Sequence, residues 1–143
     1  MVRGLKNRSE WSKIRKTRIH DTLIKTPQRL TTLIGVEEGA IPEKNNPIFK
    51  NNFNGKVQKG GRIEALSILE SFLNDRGKGY LLNISAPGKS EITSSRISAH
   101  LTWGTVSSKE VQNVINIKKE NLLDNEKKVW QKNLIALSSR LSW

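Results

Sequence analysis

Cysteine is absent, which excludes a disulfide framework, a thiolate metal site and a thiol nucleophile. Only two histidines are present, His20 and His100, and neither has a carboxylate neighbour or metal-ligand spacing. No metal and no side-chain general base are therefore expected. No apolar run approaches the length of a transmembrane helix, and the basic N-terminal "MVRGLKNRSEW" has no apolar segment behind it. The expectation is a soluble, cytoplasmic chain with no secretory leader and no membrane partner. Acidic residues are few, 13 against 25 Lys and Arg, for a formal charge of +12. That balance leaves two readings: an anionic partner such as nucleic acid or a phosphate-bearing cofactor, or a solvated basic face.

The chain's 143 residues could form one ordinary domain, but their organisation is uneven. Ser9 is a candidate N-cap for a helix carrying Trp11, Ile14, Arg15, Arg18 and Ile19, with apolar residues sparse enough for a surface helix. Residues 26–58, "TPQRLTTLIGVEEGAIPEKNNPIFKNNFNGKVQ", hold all but one of the four prolines and show no helical period. A linker or draped loop is expected there, so residues 1–58 read as an arm with one helix and residues 59–143 as a helical body. In the body, "RIEALSILESFLNDRG" sets Ile63, Leu66, Leu69 and Leu73 at helical spacing, with Ala65 and Phe72 beside them and Gly77 as a stop. Ser107 and Glu110 have capping-box spacing, and a last helix runs through Val129, Trp130, Leu134 and Leu137 to the final residue. The predicted fold is all-α, with helices at 61–76, 95–103, 108–120 and 125–143. The last helix is still in phase at Trp143, so an incomplete cluster with exposed apolar surface along that helix is expected.

The chemistry concentrates in "TSSRISAHLTWGTVSSKEV", residues 93–111. A helix start leaves N–H groups unpaired and partially positive, Ser94, Ser95 and Ser98 add hydroxyls, and Arg96 adds a fork suited to phosphate oxygens. Such a set would hold a phosphate. Ordinary helix capping by the same hydroxyls is the competing reading.

The order of segments resembles the cryptochrome and DNA photolyase family. There a GG-x-x-x-A-L helix, here within "GGRIEALSILESFL", precedes a tyrosine and then a T-S-R-L-S-P-x-L-x-x-G-x-I-S motif. Ser94, Ser95, Arg96, Ile97, Ser98, Ala99, Leu101, Gly104, Val106 and Ser107 stand at the corresponding positions, with Ser94 in place of Thr and Ala99 in place of Pro. "LKNRSEW" also looks like the family's exit from its first domain. The resemblance implies the N-terminal half of a helical FAD-binding domain. It implies a diphosphate cradle at Ser94, Ser95, Arg96, Ile97 and Ser98, with Tyr80 lying against the cofactor. For the parent protein it implies blue-light electron transfer from reduced FAD to pyrimidine dimers in DNA, or light sensing. No catalytic side chain is expected, because the cofactor carries the reaction. Trp103, Trp130 and Trp143 occupy apolar positions of helical patterns and are expected in the core. A fragment on its own is expected to bind little or no FAD, because half of the cavity wall would be absent, and to be inactive.

Two other readings stand beside this one. A basic helix-turn-helix module would use Ser107, Ser108, Gln112, Lys109, Lys118 and Lys119 on nucleic acid without catalysis. The other is a remnant with no function of its own.

Overall fold

The computed structural model describes residues 7–19, 21–43, 46 and 57–142. It is helical, with no strand among the described residues. The elements are α1 (Arg8–Ile19), α2 (Arg62–Asn74), α3 (Tyr80–Asn83), α4 (Pro87–Thr93), α5 (Ser98–Thr102), α6 (Ser108–Glu120) and α7 (Asp124–Arg140). A 3-10 turn, Arg76–Gly79, joins α2 to α3.

The chain divides into two units: residues 1–23 together with 59–143, and residues 24–58. α1 thus joins the helical body instead of standing in an arm that ends at residue 58. Its inward side explains this, because Trp11 Nε1 donates to Ser142 O at 2.9 Å and Arg15 makes longer contacts with Gln112 Oε1 and Ser138 O. In the second unit the described residues form no helix or strand, as the proline-rich composition predicts, and Leu30, Leu33, Ile34, Val36 and Ile41 are exposed.

The core draws on α2, α6 and α7 and on the loops between them. α2 buries Ala65, Leu69, Phe72 and Leu73, residues spaced by three and four along one stripe. Ile63 and Leu66 face solvent, so the buried stripe is rotated from the one that their spacing suggests. Just beyond the helix, Gly77 passes so close that a Cβ there would meet Phe72 O at 2.7 Å and the Phe72 ring at 2.9 Å. Only glycine fits. α6 opens on the expected capping box: Ser107 Oγ accepts from Glu110 N–H at 3.2 Å, and Glu110 Oε2 accepts from Ser107 N–H at 2.8 Å.

α7 buries Trp130, Leu134 and Leu137, while Val129 and Ile135 remain exposed. The expected open apolar face is therefore confined to part of this helix. Lys118 lies over the Trp130 ring, 5.1 Å from its centroid. Trp103 departs from expectation: it follows the five-residue α5 at the turn to left-handed Gly104 and is 84% exposed. Trp143 lies outside the described residues.

Candidate functional site

The segment singled out by its hydroxyls connects α4 to α5. α4 starts on Pro87 at its first turn, where a missing N–H costs nothing. It ends as Ser94 N–H donates to Ser90 O at 2.9 Å and the backbone turns extended (φ −73, ψ 157). Arg96 then takes φ 54, the single left-handed non-glycine among the described residues. A left-handed turn costs an L-residue about 1–2 kcal/mol and is retained where the surroundings fix it, a pattern that clusters at ligand clamps. Ile97, 2% exposed, pins the segment to the core. The first internal bond of α5 runs from Leu101 N–H to Ile97 O at 3.0 Å, so the N–H groups of Ser98, Ala99 and His100 have no acceptor inside that helix. With five residues α5 supplies open N–H groups more than a large dipole.

The hydroxyls of Ser94, Ser95 and Ser98 bear on the capping reading. α5 has no side-chain cap. Ser90, Thr93 and Thr102 each spend their hydroxyl on a carbonyl three or four residues back, and Ser107 caps α6. Ser94, Ser95 and Ser98 do none of this, and their hydroxyls have no hydrogen-bond partner among the described residues. Three unused donors thus lie within five residues of one another, beside open N–H groups.

Two guanidinium groups flank the segment. Arg96 folds back along α4, with Nη1 3.4 Å from Glu91 O and 4.0 Å from a Glu91 carboxylate oxygen, and its side chain is 39% exposed. Arg76 was not distinguished by sequence reasoning, yet it holds the segment's entrance. Its Nε donates to Ser71 Oγ at 2.7 Å and its Nη2 to Ile68 O at 2.9 Å, while Nη1 donates to Ile92 O at 3.1 Å and to Ser94 O. Burial lowers the Arg76 pKa, and the positive charge of Arg96 lowers it further. Two neighbouring cations therefore repel each other here, and a bound anion would relieve that repulsion. Nothing in the "NDRG" pattern marks Arg76, because its partners are mainly backbone carbonyls up to 18 residues away.

Tyr80 sits elsewhere in the arrangement. The preceding Gly79 abuts the end of α4, since a Cβ there would lie 3.3 Å from Thr93 Cγ2. The Tyr80 ring itself is 5% exposed and packs edge-on against Phe72, centroids 5.4 Å apart. Burial raises its pKa, with Arg140 opposing. The structure thus brings Ser94, Ser95, Arg96, Ile97 and Ser98 together and turns the Tyr80 ring into the core.

His100, one turn into α5, is 3% exposed. Its Nδ1 lies 3.0 Å from Thr105 Oγ1, whose hydroxyl also reaches His100 O at 3.2 Å, and Nε2 is buried without a hydrogen-bond partner among the described residues. Among the residues of the helix-turn-helix reading, Gln112 is buried and engaged by Ser138 Oγ at 2.7 Å and Asn116 Oδ1 at 2.9 Å. Lys109 pairs with Asp21 at 3.6 Å. A groove of about 440 Å³ between α2 and α6, lined by Leu66, Leu69, Leu73, Val114 and Ile117, does not include the serine segment.

No protein family, no curated protein and no solved structure gives a significant match to this chain. Among the described residues no helix is long and apolar enough to cross a membrane, and no group of three or more His, Cys, Asp or Glu could hold a metal ion.

Proposed function

We propose that residues 94–98 bind the diphosphate of FAD, in a flavoprotein of the cryptochrome and photolyase type. The observation that carries this reading is the set of three unused hydroxyls at Ser94, Ser95 and Ser98 next to open N–H groups and a left-handed Arg96. All of these groups are donors, as an anion requires, and the nearby Arg76 and Arg96 add positive charge. When bound, the flavin would supply light-driven one-electron chemistry. Arg96 would swing from Glu91 toward the phosphate oxygens, Ser95 and Ser98 would donate hydroxyl hydrogens, and Ile97 would keep the backbone in place. The proposed setting is cytoplasmic, and the proposed downstream partner is a pyrimidine dimer in DNA, with light sensing as the other family role.

Amide NMR during titration with FAD, ADP and riboflavin tests the assignment and registers weak binding. FAD and ADP, which carry diphosphate, should shift the amide signals of residues 94–100, and riboflavin should leave them in place. Arg96→Ala should weaken FAD binding roughly ten- to hundredfold, the equivalent of about 1.5–3 kcal/mol for a charge-assisted contact. Arg96→Lys should recover only part of that loss, because a point charge lacks the planar fork. Riboflavin shifting the same amides as strongly as FAD would reject the diphosphate assignment.

A further inference from the structure

The half-buried lysines among the described residues are Lys109, Lys118 and Lys119. Burial strips water from an ammonium group, so such a group ordinarily acquires a partner from the protein. Lys109 has Asp21 at 3.6 Å, and Lys118 lies over the Trp130 ring. Lys119 has no carboxylate, hydrogen-bond acceptor or aromatic ring of this kind among the described residues. It stands in the last turn of α6, where the helix dipole favours a cation, yet burial still lowers its pKa.

Lys119 lines a cavity of about 190 Å³ at the junction of α6 and α7, together with Leu122, Lys127, Gln131 and Ile135. Lys127, Gln131 and Ile135 follow one another at four-residue spacing, which sets them on one stripe of α7. Leu122, buried in the core, fixes the connection between the two helices. Lys127 Nζ donates to Asp124 Oδ1 at 2.8 Å, but an ammonium carries three hydrogens and keeps donors to spare. The Gln131 side chain makes no hydrogen bond among the described residues. No acidic residue lines the cavity, so its polar groups are two cations and an amide against the apolar walls of Leu122 and Ile135.

Such a lining takes an anion. A carboxylate offers two oxygens, whereas a tetrahedral oxyanion offers enough to meet both ammonium groups and the amide together. Pockets for larger ligands run to about 300–1,000 Å³, so this volume suits a small ion or the headgroup of a monoester and excludes a dinucleotide. We propose that Lys119, Lys127 and Gln131 form a binding site for a small tetrahedral oxyanion of the phosphate class at the α6–α7 junction. The site goes beyond the diphosphate reading and does not rest on it, since no residue of 94–98 lines the cavity.

Amide and Gln131 side-chain NMR of the full chain tests this, with inorganic phosphate, methyl phosphate and acetate each titrated against sodium chloride at matched ionic strength. Phosphate should shift the signals of Lys119, Leu122, Lys127 and Gln131, and acetate should shift them much less. Methyl phosphate acting as strongly would identify monoesters as the ligand source, and phosphate acting alone would identify the free ion; both support the site. Lys119→Met keeps an unbranched stem and should weaken phosphate binding about fivefold or more, while Lys119→Arg should retain most of the affinity. Lys132→Met removes a charge from α7 outside the cavity and should leave affinity within about twofold. Arg96→Ala should leave these shifts in place, which separates the site from residues 94–98. A further measurement needs no variant: the Lys119 ammonium should titrate at a higher pH in phosphate than in chloride, because a bound anion favours the charged form. Shifts no larger than those from chloride, an unmoved Lys119 titration, or undiminished binding by Lys119→Met would overturn the proposal.

Discussion

Arg96 holds a conformation that glycine would adopt without strain, and its guanidinium contacts include Glu91 O at 3.4 Å and a Glu91 carboxylate oxygen at 4.0 Å. Replacing it therefore separates stability from binding. Arg96→Gly should raise the unfolding free energy by up to about 1 kcal/mol in urea titrations, while FAD affinity falls at least tenfold. A clear loss of stability would mean that the arginine's contacts outweigh the backbone strain. Arg76 should behave in the opposite way. Arg76→Met would leave the Ile68, Ile92 and Ser94 carbonyls without their shared donor and should cost about 2–3 kcal/mol of stability. At this scale the serines and Arg96 could be singled out as candidates from the sequence, because donor chemistry is written in residue type. It did not disclose Arg76 or the buried turn of the Tyr80 ring, because backbone acceptors and the facing of a ring depend on the folded path.

Among the elements, α6 was the most legible: its start follows from Ser107 and Glu110, and its span agrees with the expected 108–120. Arg62 extends this cap, since its guanidinium pairs with Glu110 and donates to Thr105 O. Hydrogen bonds from Arg62 and from the Ser107 backbone hold the Glu110 carboxyl at about 2, below its ordinary 4.5. Because the folded value is the depressed one, this contribution is complete above pH 4.5 and is lost as pH falls toward about 2. The parent chain should therefore lose more stability than Glu110→Gln between pH 5 and pH 2.5, as read by urea midpoints (pH values roughly bracketing that window). Parallel curves would remove the pair from the account of the α6 start. The short helices α3 and α4 were not legible, for "NISAPG" carries turn residues that here form a helix boundary with Pro87 in the first turn. The expected helix at 95–103 shrinks to Ser98–Thr102 because Arg96 turns left-handed before it can begin.

Across the helical unit, Asn133 links parts that hydrophobic periodicity could not relate. Buried on α7, it donates to Lys78 O at 2.8 Å and to Val129 O at 2.7 Å, and it accepts from Leu81 N–H at 2.7 Å. Asn133→Leu should destabilise the fold by about 2–4 kcal/mol by leaving the Lys78 carbonyl and the Leu81 N–H unpaired, and chemical denaturation will show it. The all-α class and the irregular stretch after residue 23 were legible from composition and period. The docking of α1 was not, since it rests on Trp11 and Arg15 reaching residues more than 90 positions away.

The central claim is that the serine hydroxyls serve a ligand and not the helix, and the triple variant Ser94→Ala/Ser95→Ala/Ser98→Ala separates the two. Helix caps lose about 0.5–2 kcal/mol each when replaced by alanine. If the hydroxyls are phosphate donors, unfolding in urea should change by less than about 0.5 kcal/mol, as for uncapped surface sites, while FAD affinity falls tenfold or more. A variant that loses several kcal/mol of stability, or that binds FAD as the parent chain does, would contradict the claim.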